Sequence, residues 1–213
     1  MKKAFTLAEV LITLVVIGIV AAISLQVIYV GHLKTETTAR FKKVLSTINQ
    51  ALQVSTIQNG ELEAWEDYKK LGYYKYMETY WYPYFRNIKI CKNYSDCGYE
   101  SNKPYKNPNG TSHGHTLVYN NRRVPFLTDD NIAYSFDPVT LQFAVDINGA
   151  KGPNKLGRDM FYFEFDSEGK SFRTYGYNAT EEELKLYCSG SNATCCGTKI
   201  IKDGWEIKSD YPW

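Results

Sequence analysis

The sequence is poor in the residues and motifs that enzymes use for catalysis. It has only three histidines, and it lacks a Gly-x-Ser-x-Gly elbow, a Walker loop and a paired-carboxylate signature. These absences leave catalysis without support, so we expect a protein that is not an enzyme and that needs no cofactor. Internal repeats and low-complexity linkers are also missing, which favours one modest globular domain besides any anchor.

Net charge is small as well. The formal charge of +2 gives no argument for binding nucleic acid or an anionic surface. Aromatic residues, by contrast, are abundant: the chain has 18 tyrosines and 4 tryptophans, many of them between Glu61 and Arg86. We expect these aromatic side chains to serve packing, with sugar binding as the alternative.

Charge and proline are missing from long stretches near the start of the chain. No charged residue occurs from Val10 to Val30, and the first proline is Pro83. About 20 apolar residues, rising ~1.5 Å each, cross the ~30 Å hydrocarbon core of a bilayer. Only a helix satisfies its own backbone groups there. Residues 5–30 therefore predict a membrane-spanning helix.

The start of this span differs from that of an ordinary anchor or a cleaved secretory signal. Only Met1–Ala4 precede the apolar run, which is too long for a signal and has no small-residue cleavage site after it. A single acid, Glu9, lies one helical turn inside the span. The stretch Ala4–Ile12, AFTLAEVLI, resembles the cleavage and methylation motif of type IV prepilins and type II secretion pseudopilins.

The resemblance implies how the chain is processed and assembled. In that family a prepilin peptidase cuts before the Phe and the new amine is methylated. Here this implies a cut between Ala4 and Phe5, with methylation of Phe5, although the family usually has Gly in place of Ala4. Glu9 matches the acid that pairs with the freed amine of an adjacent subunit. The local alternative for Glu9 is a capping box with Thr6.

The same resemblance implies the partners and the location of the protein. The partners are the prepilin peptidase, other pilin or pseudopilin subunits, a filament assembly platform and the membrane. Basic residues flank the span on both sides, and by themselves they slightly favour the opposite orientation. The motif and the cysteines favour an extracytoplasmic C-terminal domain. We therefore expect a single-pass protein of the bacterial cytoplasmic membrane that later enters a cell-surface or periplasmic filament.

The helix is predicted to continue beyond the membrane through residues 31–60. Apolar residues recur at three- and four-residue spacing from Phe41 to Leu52, and Asn59-Gly60 is a typical stop. A helix from Phe5 to Gln58 would be about 80 Å long. Its outer half has an apolar stripe that needs a partner, most simply a sheet of the same chain. The predicted class is therefore α+β, a long N-terminal helix packed on an antiparallel sheet as in pilins.

Residues 61–213 predict an extracytoplasmic globular domain, in which a Tyr-rich insert precedes the sheet. We expect a short helix at Trp65–Leu71 and a loop from Ile88 to Gly114. Turn residues bound five short β-branched or aromatic runs, which predict strands at Thr116–Asn120, Ile132–Phe136, Gln142–Ile147, Phe161–Phe165 and Ser171–Tyr175. Thr180–Tyr187 is expected to be helical, and Lys199–Ile201 to be one more strand or part of an ordered coat.

Five cysteines fall into two groups, Cys91 with Cys97 and then Cys188, Cys195 and Cys196. Neither group has two paired C-x-x-C units, so structural zinc is not expected. Disulfides are the default in an exported domain. We expect a Cys91–Cys97 bridge and a bridge from Cys188 to Cys195 or Cys196, which leaves one thiol unpaired.

The loop from Asp146 to Asp159 is the richest in oxygen ligands. Some pseudopilins bind calcium in a loop of their sheet, but this stretch does not match an EF-hand, because its glycine comes early and no closing Glu follows. We interpret it as a hairpin loop without metal. The alternative is a calcium ion held by Asp146, Asp159 and the amide oxygen of Asn148 or Asn154.

Two functions from different classes follow from these patterns. The favoured one is a structural subunit, a pilin or pseudopilin, of a type IV pilus or a type II secretion-like filament. The alternative is a monomeric membrane-anchored binding protein that displays its Tyr-rich domain outside the cytoplasm. An ordinary anchor would need neither Glu9 nor processing at Ala4, which favours the filament subunit.

Overall fold

A computed structural model describes residues 6–114 and 122–213, and the chain divides into two compact units between Glu36 and Thr37. The helices are α1 (Leu7–Asn59), α2 (Tyr68–Leu71), α3 (Tyr73–Tyr80), α4 (Glu181–Tyr187) and α5 (Cys196–Lys202). The strands are β1 (Lys89–Ile90), β2 (Phe126–Leu127), β3 (Ala133–Asp137), β4 (Gln142–Asp146), β5 (Met160–Asp166) and β6 (Ser171–Thr174). Over the described ranges these six strands form one antiparallel sheet in chain order. The predicted α+β class, a long N-terminal helix with an antiparallel sheet, is confirmed.

Most of the predicted elements are confirmed, with ends shifted by a residue or two. α1 ends at Asn59, as the Asn-Gly pair predicts, and four predicted strands occur as β3, β4, β5 and β6. α4 follows Thr180, whose hydroxyl oxygen accepts a hydrogen bond from the Glu183 N–H at 3.2 Å in a capping box. The predicted strand Thr116–Asn120 lies outside the described residues.

Three predictions of local structure were wrong or incomplete. Lys199–Ile201 belongs to α5, where the buried Ile200 and the flanking lysines follow helical rather than alternating spacing. Only the end of Trp65–Leu71 is helical, because the Asp67 carboxylate caps α2 by accepting the Lys69 N–H at 2.8 Å. The stretch expected as loop contains β1, a two-residue strand that exists through its pairing with the distant β2.

A stripe of buried side chains attaches the second half of α1 to the sheet. The buried residues are Thr38, Phe41, Val44, Ile48, Ala51, Leu52 and Ser55. The Phe41 ring lies 4.6 Å from the ring of Phe161 and 5.5 Å from that of Phe163, both on β5. Full burial of one such apolar side chain contributes about 1.5–3 kcal/mol. The stripe that the sequence pattern predicts is therefore the main attachment of this half of the helix.

The aromatic insert packs on the same sheet. Trp81 is fully buried, and its ring lies 4.9 Å from Phe136 and 5.0 Å from Phe143. Trp65 stacks on Tyr80 with 4.5 Å between ring centroids. Most of the aromatic residues between Glu61 and Arg86 are therefore used in packing, which supports that interpretation over sugar binding.

Asn49 connects α1 to the edge of the sheet through both halves of its amide. In β6, the edge strand, the Phe172 N–H donates to Asn49 Oδ1 at 2.7 Å, and Asn49 Nδ2 donates to the Phe172 carbonyl at 3.0 Å. A neighbouring strand would make the same two bonds. The amide therefore covers an edge residue that is otherwise open to pairing with another chain.

We expect Asn49→Ala to lower the free energy of unfolding by about 1–3 kcal/mol, because it leaves two backbone groups of the buried Phe172 without partners. The measurement is urea unfolding of the detergent-solubilised full chain, followed by the fluorescence of buried Trp81. Gln50→Ala is the matched control, since the Gln50 amide donates only to Ser46 Oγ on the exposed side of the helix. Equal losses in the two variants would contradict the role of Asn49.

Candidate functional site

The first half of α1 is apolar, and none of the described residues covers it. Every residue from Thr6 to His32 is exposed, and the helix is long and apolar enough to cross a membrane. A large exposed apolar surface is unfavourable in water, and contiguous patches of this kind mark contacts with membranes or other proteins. This segment therefore supports the predicted membrane anchoring.

Glu9 is held at the start of α1 by Thr6. The Thr6 N–H and the Thr6 hydroxyl donate to Glu9 Oε2 at 2.8 and 3.0 Å, and the Glu9 N–H donates back to the Thr6 hydroxyl at 3.2 Å. This is a capping box, the local alternative that the sequence left open. Both bonds to the carboxylate use one oxygen, so the group can accept a further donor. Ala4 and Phe5, the predicted cleavage and methylation residues, lie outside the described residues.

Two aspartates of the oxygen-rich loop are brought together at the ends of β4 and β5. Asp146 is fully buried and Asp159 is 2% exposed. The Ile147 N–H donates to the Asp159 carbonyl at 2.8 Å, which fixes the base of the loop. The Asp159 carboxylate accepts the backbone N–H groups of Asn154 and Lys155 at 2.7 and 2.5 Å. The loop is therefore a hydrogen-bonded hairpin connection, as predicted.

A chain of tyrosine hydroxyls reaches the Asp146 carboxylate. Tyr105 donates to Tyr99 at 2.7 Å, and Tyr99 donates to Asp146 Oδ2 at 2.7 Å. Burial, followed by the negative charge of Asp146, raises the pKa of both tyrosines, so both remain protonated donors. Sequence reasoning missed these two residues, because 47 positions separate Tyr99 from the carboxylate it contacts.

Burial makes the charged form of this aspartate pair unfavourable. It raises the pKa of Asp146 well above its usual range, and the nearby Asp159 carboxylate adds to the rise. Burial also raises the pKa of Asp159 to about 6, although the backbone N–H groups of Asn154 and Lys155 act in the opposite direction. The pair therefore favours bound protons or a bound cation.

The described residues give limited support to a metal in this loop. Asn154 Oδ1 is buried and has no hydrogen-bond partner among the described residues, so the loop has one further oxygen open to a ligand. Calcium takes six to eight oxygens, and no group of three or more His, Cys, Asp or Glu side chains suited to a metal occurs within residues 6–114 and 122–213. Calcium binding stays the alternative to a hairpin loop without metal.

The cysteines form two bridges and leave one thiol. Cys91 is bonded to Cys97, and Cys188 is bonded to Cys196, the second of the two partners that the sequence left open for it. Cys195 is the free cysteine and is buried. Burial raises the pKa of its thiol.

Comparison with known protein families adds two findings to this geometry. The motif described as the prokaryotic N-terminal methylation motif matches residues 1–25, and the family described as "Family of unknown function (DUF6613)" matches residues 28–213. Neither the comparison with curated proteins nor the comparison with solved structures gave a match.

The methylation motif, the apolar N-terminal helix and the antiparallel sheet together support a type IV pilin- or pseudopilin-like precursor. The class is structural, and the motif indicates membrane anchoring. Because the family match covers most of the chain, the protein belongs to the family of unknown function DUF6613.

The aspartate pair gives a pH-dependent prediction. The pKa of each acid is higher in the folded than in the unfolded state, so the folded state binds more protons and stability falls as pH rises from about 4 through about 6. The slope is at most about 1.4 kcal/mol per pH unit for each proton. We expect the free energy of unfolding of Asp146→Asn to fall less steeply with rising pH than that of the wild type. The reason is that the amide offers a donor and an acceptor as the protonated acid does.

Denaturant unfolding of the full chain at pH 4 to 7 measures this effect. Asp130→Asn is the control, because the pKa of Asp130 is lowered: burial acts to raise it, but the interactions with Lys43 at 2.6 Å and with Thr128 together outweigh burial. An Asp146→Asn curve parallel to that of the wild type would contradict the pair's role.

If the loop holds calcium, millimolar calcium should raise the melting temperature of the wild type but not that of Asp146→Asn. Melting curves that calcium leaves unchanged in both would leave only the hairpin.

Proposed function

We propose that this protein is a structural subunit, a pilin or pseudopilin, of a type IV pilus or a type II secretion-like filament. Prepilin peptidase removes residues 1–4, the freed amine of Phe5 is methylated, and the subunit assembles through its N-terminal helix. Other subunits and a membrane assembly platform are its partners. Catalysis is not part of the proposal.

One observation carries this proposal: the methylation motif at residues 1–25 overlaps the start of a helix whose described residues from Thr6 to His32 are all exposed. A bilayer covers such a surface while the subunit is a membrane protein. The helices of neighbouring subunits cover it equally well in a filament, because lipid tails and aliphatic side chains are similarly apolar.

The domain organisation follows from this function. Residues 1–4 are the leader, residues 5–30 span the membrane and later pack in the filament, and residues 31–60 continue the helix. Residues 61–213 form the extracytoplasmic domain. The two disulfides favour this orientation, since such bonds persist in oxidising compartments.

Glu9 is the assembly residue of the proposal. Its carboxylate pairs with the Phe5 amine of an adjacent subunit in the apolar helix layer, where charges are screened less than in water. Removing one partner of a pair in such surroundings leaves the other charge uncompensated, which is costly. The pair therefore also fixes the axial register of neighbouring helices.

The second candidate is a monomeric anchored binding protein, and the Thr6–Glu9 capping box is the observation that favours it. In that case the two hydrogen bonds from Thr6 to the Glu9 carboxylate account for this acid, with no partner subunit. A cap contributes about 0.5–2 kcal/mol to a helix. The two functions differ in whether the charge of Glu9 or its hydrogen bonding matters.

We expect Glu9→Gln to be inserted and cleaved normally and yet to fail to enter filaments, because glutamine keeps the capping hydrogen bonds but loses the charge. Thr6→Val is the matched variant, since it removes the capping hydroxyl and keeps the charge. It should assemble. Immunoblots of membrane and sheared-surface fractions from the same cells measure both insertion and assembly.

The reverse pattern would overturn the assembly role. Normal assembly of Glu9→Gln together with failure of Thr6→Val would mean that Glu9 is only a helix cap. Absence of the wild-type protein from every filament fraction, in cells that cleave it and produce filaments, would favour the monomeric anchor.

A further inference from the structure

A cavity of about 630 Å³ lies between the ends of β5 and β6, α4 and the loop that precedes α5. Its lining includes two carboxylates, Glu164 and Glu183, and three tyrosines, Tyr175, Tyr177 and Tyr187. All of these residues belong to the C-terminal unit. Neither the disulfides nor the helix stripe explains this combination of acids and aromatic rings.

The two carboxylates are positioned by backbone donors. Glu164 accepts the Gly176 N–H at 2.8 Å, and Glu183 accepts the Thr180 N–H at 2.7 Å. No Lys, Arg or His within the described ranges lines the cavity. Lys202 interacts electrostatically with Glu183, but its ammonium group donates to the Ala179 carbonyl at 2.5 Å. The cavity itself therefore has a net negative lining.

The negative charge of the lining affects a thiol at the buried end of the cavity. Cys195 lies there, with its sulfur against Gly176, where an added Cβ would approach the sulfur to 2.6 Å. Burial raises the pKa of the Cys195 thiol, and the charges of Glu164 and Glu183 raise it further. Both carboxylates thus act on the same point of the cavity.

The aromatic part of the lining suits a flat cation with an aliphatic stem. Tyr177 already has a guanidinium over its ring, that of Arg173, at 5.3 Å from the centroid. Tyr187 is 40% exposed, and the adjacent Leu186 on α4 is 62% exposed, so apolar surface continues outside the cavity. Arginine combines ring stacking with bidentate bonding to carboxylates, whereas lysine presents a point charge.

We propose that this cavity is a docking site for an arginine side chain of a partner polypeptide. The guanidinium lies among the tyrosine rings and pairs with Glu164 and Glu183, while the aliphatic stem of the arginine and the flanking residues of the partner cover Leu186 and Tyr187. Charge complementarity selects this occupant, because an acidic or neutral side chain would leave both carboxylates unpaired. The proposal goes beyond the assembly function and does not rest on it.

The test is a titration of the detergent-solubilised full chain, with tyrosine rings labelled in ¹³C, with N-acetyl-arginine amide. N-acetyl-citrulline amide is the neutral probe of the same shape. We expect saturable shifts of the Tyr175, Tyr177 and Tyr187 ring signals with the arginine probe and none with citrulline. Glu164→Gln and Glu183→Gln should each weaken binding about two- to fivefold, the range for a partly exposed ion pair.

Glu181→Gln is the matched control, because Glu181 is an exposed acid on the same helix that does not line the cavity. It should bind the arginine probe as the wild type does. Glu183→Gln retains an oxygen that accepts the Thr180 N–H, so its helix cap is kept. Absence of saturable shifts, equal binding of the citrulline probe, or equal effects of all three Glu→Gln changes would overturn the proposal.

Discussion

The described structure is dominated by one imbalance, an apolar helical surface that the described residues leave exposed. From Thr6 to His32 every residue is exposed, and each buried CH₂ group is worth about 0.8 kcal/mol. Such a surface is unfavourable in water and marks a contact with lipid or with other proteins. Membrane insertion and filament assembly are thus two solutions to the same constraint, and the position of Glu9 at its start offers a polar mark by which helices can align.

The rest of α1 has the opposite character, since its stripe is fully satisfied within the chain. Phe41 packs on Phe161 and Phe163, and Asn49 completes the edge strand at Phe172. One helix therefore holds two kinds of surface, one that is open to partners and one that is closed by the sheet. Covering the β6 edge at Phe172 also protects the sheet from pairing with another chain there.

Local patterns predicted the elements whose stability is local. The apolar stripe from Phe41, the stop at Asn59-Gly60 and the helix at Thr180–Tyr187 were readable, because their patterns repeat or end within a turn or two of the chain. β1 and α5 were not readable, since β1 exists through pairing with β2, and α5 is closed by a disulfide to Cys188. The same dependence on partners distant in sequence decides which candidate sites the sequence could predict.

Sequence identified Glu9 and the Asp146–Asp159 loop, because motif and composition mark them. It gave no sign of the Tyr105–Tyr99–Asp146 chain or of the tyrosine-lined cavity, whose members are brought together only by the sheet. Tyr211 is a further case, since its hydroxyl donates to the Gly157 carbonyl from the far end of the chain. Buried polar contacts of this kind follow from the fold and not from spacing.

The central claim is that the exposed apolar helix is the processed N-terminus of an assembling subunit. Intact-mass measurement of the protein purified from its native membrane tests it most directly. The account predicts a chain of 209 residues (213 minus 4) that begins at methylated Phe5. Recovery of a chain that still begins at Met1, from cells with an active prepilin peptidase, would contradict it.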